Sequence, residues 1–420
     1  MTRTVRTVLL TIGRMPKALE VARALAGAGH RVVVADPFAW HICRVSRAVA
    51  RSYRTTAPNV DAEQYLRDLL RIIERERVDV VVPLSEETMH VVGLQGRLPA
   101  NVQLYTADRE LVRTLHDKHR FNALVVSLGL SAPRTALLGD PEASRLAAET
   151  EVVIKPVFSC AGMGVTFPAP GAELPPADPQ TPQLVQARVR GAGRSSFTVA
   201  HHGRVLATVV YEGTVFQGTV STCFRRVDDS PAVEAWITTF VGATGYHGFV
   251  SFDFIVDADG TPQAIECNPR ATSGVHFVEP TALAHAMLPD EGTEPTVVPF
   301  KAERLFQQLY TTLTETQRAM FTGRAFRDKL QQLISARDVI WSRTDPWPFV
   351  LMTAVSYQIL AMSIFQGIPM GEAATRDIGW FRDPDASSST PDPRMLDEPT
   401  TNGAGPAPPD ESPVLAARAE

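Results

Sequence analysis

The segment Gly248-Phe-Val-Ser-Phe-Asp-Phe-Ile-Val-Asp-Ala-Asp-Gly-Thr-Pro-Gln-Ala-Ile-Glu-Cys-Asn-Pro-Arg270 constrains the fold more than any other part of the chain. Apolar and polar residues alternate on both sides of Asp259-Gly260, a dipeptide that suits a two-residue hairpin turn, where both central residues need positive φ. Taken as the turn, it sets Asp253 opposite Glu266 and Ser251 opposite Asn268. The period of two puts Asp253, Glu266 and Asn268 on one face, and Phe252, Phe254, Ile265 and Cys267 on the other, apolar face. Two carboxylates directly opposite each other, about 5 Å apart, repel. A hard cation between them removes the conflict, and an all-oxygen set of Asp, Glu and Asn suits Mg²⁺. Arg270, just beyond, is positioned to steady charge on a transferring phosphoryl group. A solvent-facing polar strand would show the same alternation, so the hairpin needs a context.

Lysine usage supplies it. Of 41 basic residues only five are lysine: Lys17, Lys118, Lys155, Lys301 and Lys329. A chain that uses arginine wherever any positive charge will do retains lysine where a compact ammonium on a flexible stem is needed. Lys155 ends the apolar strand Val152-Val-Ile154 and is followed by a glycine-bearing turn with Gly162 and Gly164, where backbone N–H groups can approach phosphate oxygens and the loop can close as a lid. Lys118 lies upstream on a helix expected over 108–128. Both are candidates for binding triphosphate oxygens. No G-x-x-x-x-G-K-[ST] occurs, which excludes a P-loop enzyme.

At the N-terminus, strands at 5–12, 31–35 and 78–83 alternate with helices at 16–28 and 62–76, a βαβαβ pattern that implies a small parallel sheet. The first run is too short for a signal-peptide core and lacks a small-residue cleavage site. Asp36 sits where a ribose-binding acid would sit, but the first turn, Gly13-Arg-Met-Pro-Lys, has one glycine where a dinucleotide fingerprint needs three. The middle, 106–295, mixes helices with antiparallel strands at 151–156, 183–189, 196–201, 204–211, 248–256 and 263–268, with a Pro/Ala-rich loop between 167 and 183. Helices are expected at 303–315, 324–335 and 348–366. The last lies in an uncharged stretch and reads as a packed helix or subunit contact in preference to a membrane contact or span. From 386 to 420 the composition is that of a disordered tail. With a net charge of −5, no basic field calls for nucleic acid, and four scattered cysteines fit a reducing, cytoplasmic setting.

A lysine helix, a lysine strand with a glycine turn, a hinge strand, then D-x₁₂-E-x-N on a hairpin resembles the ATP-grasp superfamily over roughly 1–295. The resemblance implies an α/β plus α+β architecture: a pre-ATP-grasp βαβ domain at 1–110, an ATP-grasp domain at 111–295, a helical C-terminal extension at 296–385 and the tail at 386–420. It implies ATP with Mg²⁺ (or Mn²⁺) as cofactors. Lys118, Lys155, Gly162 and Gly164 would bind phosphates, and Gln186, Ala187, Arg188 and Val189 would meet adenine. Asp253, Glu266 and Asn268 would hold the metal, and Arg270 would serve catalysis at the acceptor. Within the superfamily, Ser127-Leu-Gly-Leu-Ser-Ala-Pro133, Ser251-Phe-Asp-Phe-Ile255, Ile265-Glu-Cys-Asn-Pro-Arg270 and the tail around Asp345-Pro-Trp-Pro-Phe349 are similar to the mycosporine-glycine synthase branch. That branch joins glycine to the cyclohexenone 4-deoxygadusol, so the expected partners are a small-molecule acceptor and an amino acid amine, with a homodimer as the candidate assembly. A carboxylate–amine ligase of the dipeptide type is the alternative. Ala187 and Gly193 replace glutamates usual at the hinge, which also leaves room for a non-catalytic nucleotide-binding relative. His201-His202, the spaced pair His116 and His119, and Arg225-Arg226 carry less weight, and Ser195-Ser196 has no triad partners.

Overall fold

A computed structural model describes residues 5–159, 162–289, 295–323 and 325–381; the expected tail at 386–420 lies outside them. Five parallel strands open the chain: β1 (Thr7–Leu10), β2 (Arg31–Asp36), β3 (Arg51–Arg54), β4 (Val80–Val82) and β5 (Gln103–Leu104), in the order β3-β2-β1-β4-β5. Helices α1 (Pro16–Gly27) and α2 (Ala62–Glu76) flank this sheet, and α3 (Thr88–Val91) follows β4. Val8, Leu10, Val32 and Val34 pack with Leu19 and Leu25 of α1, whereas Leu9, Val33 and Val81 pack with Tyr65, Leu69 and Ile73 of α2. A sheet covered on both faces needs continuous β-branched runs, which is why these strands read Val-Val-Val. The expected helix at 62–76 is found as α2, capped by Asp61, whose carboxylate accepts from Gln64 N.

The helix expected over 108–128 is two helices, α4 (Arg109–His116) and α5 (Lys118–Ser127). Asp117 breaks it. Its backbone is extended and its carboxylate accepts from His119 N and Arg120 N, so it caps α5 and leaves Lys118 as the first residue of a new helix. Strand β6 (Thr135–Leu137), helix α6 (Pro141–Glu149), β7 (Val152–Pro156) and β8 (Gln183–Ala187) build a three-stranded sheet in the order β6-β8-β7. The larger antiparallel sheet takes β9 (Ala192–His201), β10 (Arg204–Gln217) and β11 (Val220–Val227), then, after helix α7 (Pro231–Thr244), β12 (Gly248–Val256) and β13 (Pro262–Asn268). Helix α8 (Pro280–Met287) packs back on α1.

The segment at 303–315 is not a helix throughout. Its first part is β14 (Leu305–Gln307), which joins the larger sheet by pairing with β11 and is followed by α9 (Leu309–Thr322). Next come α10 (Phe326–Ser335), β15 (Arg337–Asp338), α11 (Trp347–Gln366) and α12 (Met370–Ala373). α11 packs along one edge, with Pro348, Val355 and Ile359 buried; Tyr357, Ile364 and Phe365 stand exposed. Among the described residues it is the one helix long and apolar enough to cross a membrane by length and composition. Polar ties join the segment 345–377 to the first sheet. Arg14 pairs with Asp36 and Asp377, and Asp345 accepts from Ser46 Oγ and Arg23.

Candidate active site

The β12–β13 hairpin is present, with Asp253 paired to Glu266 and Ser251 to Asn268. Its turn differs from the expected one. Gly260 (φ +80°) donates its N–H to Asp257 O, and the last ladder pair is Val256–Pro262, so the connection spans 257–261. That shift of one residue is undone by a β-bulge: Glu266 faces Asp253, Ala264 faces Phe254, and Ile265 is the extra residue between them. Ile265 therefore leaves the apolar face. Ala264 takes its place beside Phe252, Phe254 and Cys267 in the core under α5 and α7.

The bulge does chemical service. Lys155, buried at the end of β7, donates its ammonium to the Ile265 carbonyl at 2.8 Å. Lys118, also buried, donates to Ser159 O at 2.7 Å and lies 4.0 Å from Glu266 Oε2. Asn268 Nδ2 donates to Asp253 Oδ2 at 3.4 Å, and Ser195 Oγ on β9 donates to Asp253 Oδ1 at 2.5 Å. Arg270 donates to Asn268 Oδ1 at 2.9 Å. The chain thus brings Lys118, Lys155, Asp253, Glu266, Asn268 and Arg270 to one place, from two sheets. The donor set fits Mg²⁺: three oxygen-bearing side chains, two of them carboxylates held opposite each other by the ladder.

The glycine turn folds back on β7, the strand that carries Lys155. Thr166 exchanges backbone hydrogen bonds with Ile154, closing the loop back on β7. Gly162 and Gly164 have φ of +71° and +70°, and a Cβ on Gly164 would stand 2.8 Å from Pro156 Cγ. Gly162 lies close to Thr219, at the β10–β11 tip, so the loop reaches across to the larger sheet. Gln186, Ala187, Arg188 and Val189 run along and beyond β8, the strand paired with β7. Gln186 is buried, with its amide on Thr135 Oγ1 at 2.9 Å, and Arg188 lies by Glu151 and over the Phe167 ring. No acid stands at 187 or 193, and Gly193 is a ladder partner of Ile255.

Sequence reasoning missed the contribution of the first sheet. Glu86, in the loop after β4, accepts from Arg270 Nη2 at 2.5 Å. Burial pushes its carboxyl up, but Arg270, with His116 and Lys17 nearby, holds it below the ordinary range. Lys17, in the first turn of α1, donates to Ala271 O at 2.8 Å. Glu87 beside it is fully buried; Oε1 accepts from Leu84 N, Ser85 N and Thr11 Oγ1, and burial raises its pKa. The available signals were the scarcity of lysine and the position of Glu86 at the carboxyl end of a parallel strand, where open α/β sheets place ligands.

Other candidates are spent elsewhere. The Asp36 carboxylate closes the first turn, accepting from Gly13 N, Arg14 N and Phe38 N. Arg225 pairs with Glu212, and Arg226 with Asp228. His116 Nε2 lies 3.2 Å from Trp380 O, and Ser195 serves Asp253.

Residues 116–274 match the family described as the ATP-grasp domain. The carbamoyl phosphate synthase large chain, C-terminal section, of Methanopyrus kandleri is 24% identical over 247 residues, a match that takes in 51% of this chain and 43% of that protein. The chain therefore spans less than half the length of this curated relative. Among solved structures, N5-carboxyaminoimidazole synthetase from Staphylococcus aureus complexed with ADP superposes with a TM-score of 0.59 at 13% identity, over 77% of this chain and 87% of that one. L-amino acid ligase from Bacillus licheniformis gives 0.54 at 16% identity, over 71% and 78%. These two are likenesses of fold. Residues 116–274 thus carry an ATP-grasp domain, and the chain around them shares the ATP-grasp fold.

Proposed function

We propose that the chain is an ATP- and Mg²⁺-dependent, ADP-forming carbon–nitrogen ligase that joins an amino acid amine to a small-molecule acceptor. The observation that carries this is the convergence of Lys118, Lys155, Asp253, Glu266 and Asn268 on one hairpin face, with Arg270 held by Glu86 beside it. When bound, MgATP supplies the phosphoryl group to be transferred. Asp253, Glu266 and Asn268 hold the metal, and the two lysines, already desolvated, offer positive charge to phosphate oxygens. Arg270 and Lys17 put two cations on the acceptor side, which suits an acceptor that is anionic when it attacks, either an enolate or a carboxylate.

The specific version is ligation of glycine to 4-deoxygadusol, as the motifs resembling the mycosporine-glycine synthase branch imply. The carboxylate–amine alternative draws support from the fold shared with an L-amino acid ligase. Purified protein with MgATP, glycine and 4-deoxygadusol should release ADP only when both co-substrates are present. A panel of free amino acids in place of the cyclohexenone reads the alternative. Glu266→Gln should abolish turnover while leaving the melting temperature near wild type. ADP release independent of any acceptor, or full activity in Glu266→Gln, would overturn the proposal.

A further inference from the structure

At the far end of β9 and β12 from the carboxylates, three histidines converge. His201 ends β9, His202 lies in the turn to β10, and His247 precedes β12. His201 lies six positions along β9 from Ser195, the partner of Asp253, a span of about 20 Å at strand rise. The ligating nitrogens of His201, His202 and His247 all lie within 4.8 Å of one another. The rings of His202 and His247 stack with centroids 4.2 Å apart and planes 6° from parallel, and His201 stands edge-on to both, at 4.7 and 5.3 Å.

The backbone that makes this cluster is unusual. His201 pairs with Arg204, so His202-Gly203 is a two-residue turn, and both residues have positive φ, +45° and +84°. Asn or Gly is the usual first residue of such a turn, and a histidine there holds a conformation few side chains adopt. Gly203 N donates to Tyr246 O at 2.9 Å, fixing the turn against the 245–248 loop. That loop turns sharply at Gly245 and Gly248, both of positive φ, and a Cβ on Gly248 would press on Thr106 Cα at 3.0 Å. The His247 ring packs edge-on against Tyr105, and its Nδ1 is buried with no hydrogen-bond partner.

We propose that His201, His202 and His247 form a binding site for one divalent transition-metal ion of the zinc class, separate from the magnesium site on the hairpin. Three imidazoles suit Zn²⁺, Co²⁺, Ni²⁺ or Cu²⁺ and not Mg²⁺, which takes oxygen ligands. Tetrahedral Zn²⁺ with Zn–N near 2.0–2.1 Å sets its ligand nitrogens about 3.3 Å apart, so the stacked His202 and His247 rings would rotate out of parallel to aim their lone pairs at one ion. Three protein ligands leave a fourth position for water or another donor. A metal here would clamp the β9–β10 turn to the start of β12, the strand that carries Asp253.

The test uses the full chain, stripped with a chelator, dialysed, and titrated with Zn²⁺ or Co²⁺, with bound metal read by mass spectrometry and the melting temperature followed in parallel. Wild type and Glu266→Gln should each retain one Zn²⁺ per chain and melt higher with it, because the hairpin carboxylate is not involved. His202→Asn, which tolerates the left-handed turn, and His247→Gln should each bind at least about tenfold more weakly, since even outer-shell partners of a metal are worth that much. Absence of bound Zn²⁺ in wild type, or wild-type binding in His202→Asn, would overturn the proposal. His202 is exposed, so that variant remains decisive if His247→Gln does not fold.

Discussion

Glu20 lies buried on α1, the first helix of the N-terminal sheet, and reaches across to residues of the larger sheet's flank. Its carboxylate accepts from His276 Nδ1 at 3.0 Å and from Lys301 Nζ at 2.5 Å. Burial alone would raise its pKa. The hydrogen bond from His276 and the charge of Lys301 outweigh burial and bring it down to about 2 from an ordinary 4.5. His276 is itself held below its usual range by burial, so near neutrality it donates as a neutral ring. Because the folded-state pKa is depressed, the linked stability is fully present above the unfolded-state value and is lost as pH falls through the folded-state value. A shift of about 2.5 units is worth about 3.4 kcal/mol at pH 7, falling to about 1.4 kcal/mol at pH 3. Glu20→Gln removes that term. Urea unfolding of wild type and Glu20→Gln at pH 7 and pH 3 should show a gap of about 3 kcal/mol that more than halves at the lower pH. A gap of the same size at both values would mean that packing, and not ionisation, holds α1 in place, and the reasoning would fail.

Glu86→Gln removes the charge that anchors Arg270. Stability should fall toward the lower part of the 3–5 kcal/mol range for breaking buried pairs, since Arg270 keeps some exposure. The kcat/KM for the acceptor should drop at least about tenfold, the equivalent of 1.4 kcal/mol, with the KM for ATP unchanged. Steady-state kinetics varying each substrate in turn separate the two, and an equal change in both would contradict the acceptor-side assignment of Arg270. Gly164→Ala forces a Cβ into a left-handed conformation and against Pro156, a strain of about 1–2 kcal/mol. It should raise the KM for ATP with little effect on melting temperature; unchanged nucleotide affinity would remove the glycine loop from the phosphate site.

The pairing of Asp253 with Glu266 was readable from the alternation of the hairpin, although the connection that seemed to fix it spans 257–261 and not the two residues Asp259-Gly260. Two displacements cancel, one at 257–261 and one at Ile265. An isoleucine continues an apolar pattern whether or not it is bulged, so nothing in its identity marks the bulge. Helix α2 was legible to its ends because Asp61 and the period of its apolar residues agree. The break at Asp117 carried a capping signal that reading 108–128 as one continuous helix passed over. Strand β14 was read as helix because its three residues take strand form only by pairing with β11. The contact of Glu86 with Arg270 joins positions 184 apart in the chain, and no local pattern encodes such a meeting. The histidine trio is likewise scattered, one member 45 residues from the nearest of the others.

The bridge between Glu86 and Arg270 divides authorship of the pocket. On the proposed reading, the residues that would hold the nucleotide's tail belong to the hairpin and its lysines, whereas the wall facing the acceptor would be furnished by loops of the first parallel sheet. Grafting those loops from a relative would then be expected to change what is ligated while leaving the energy source alone, and a fragment cut to the matched 116–274 would keep Lys118, Lys155 and the hairpin yet lose Glu86 and Lys17, the groups proposed to face the acceptor.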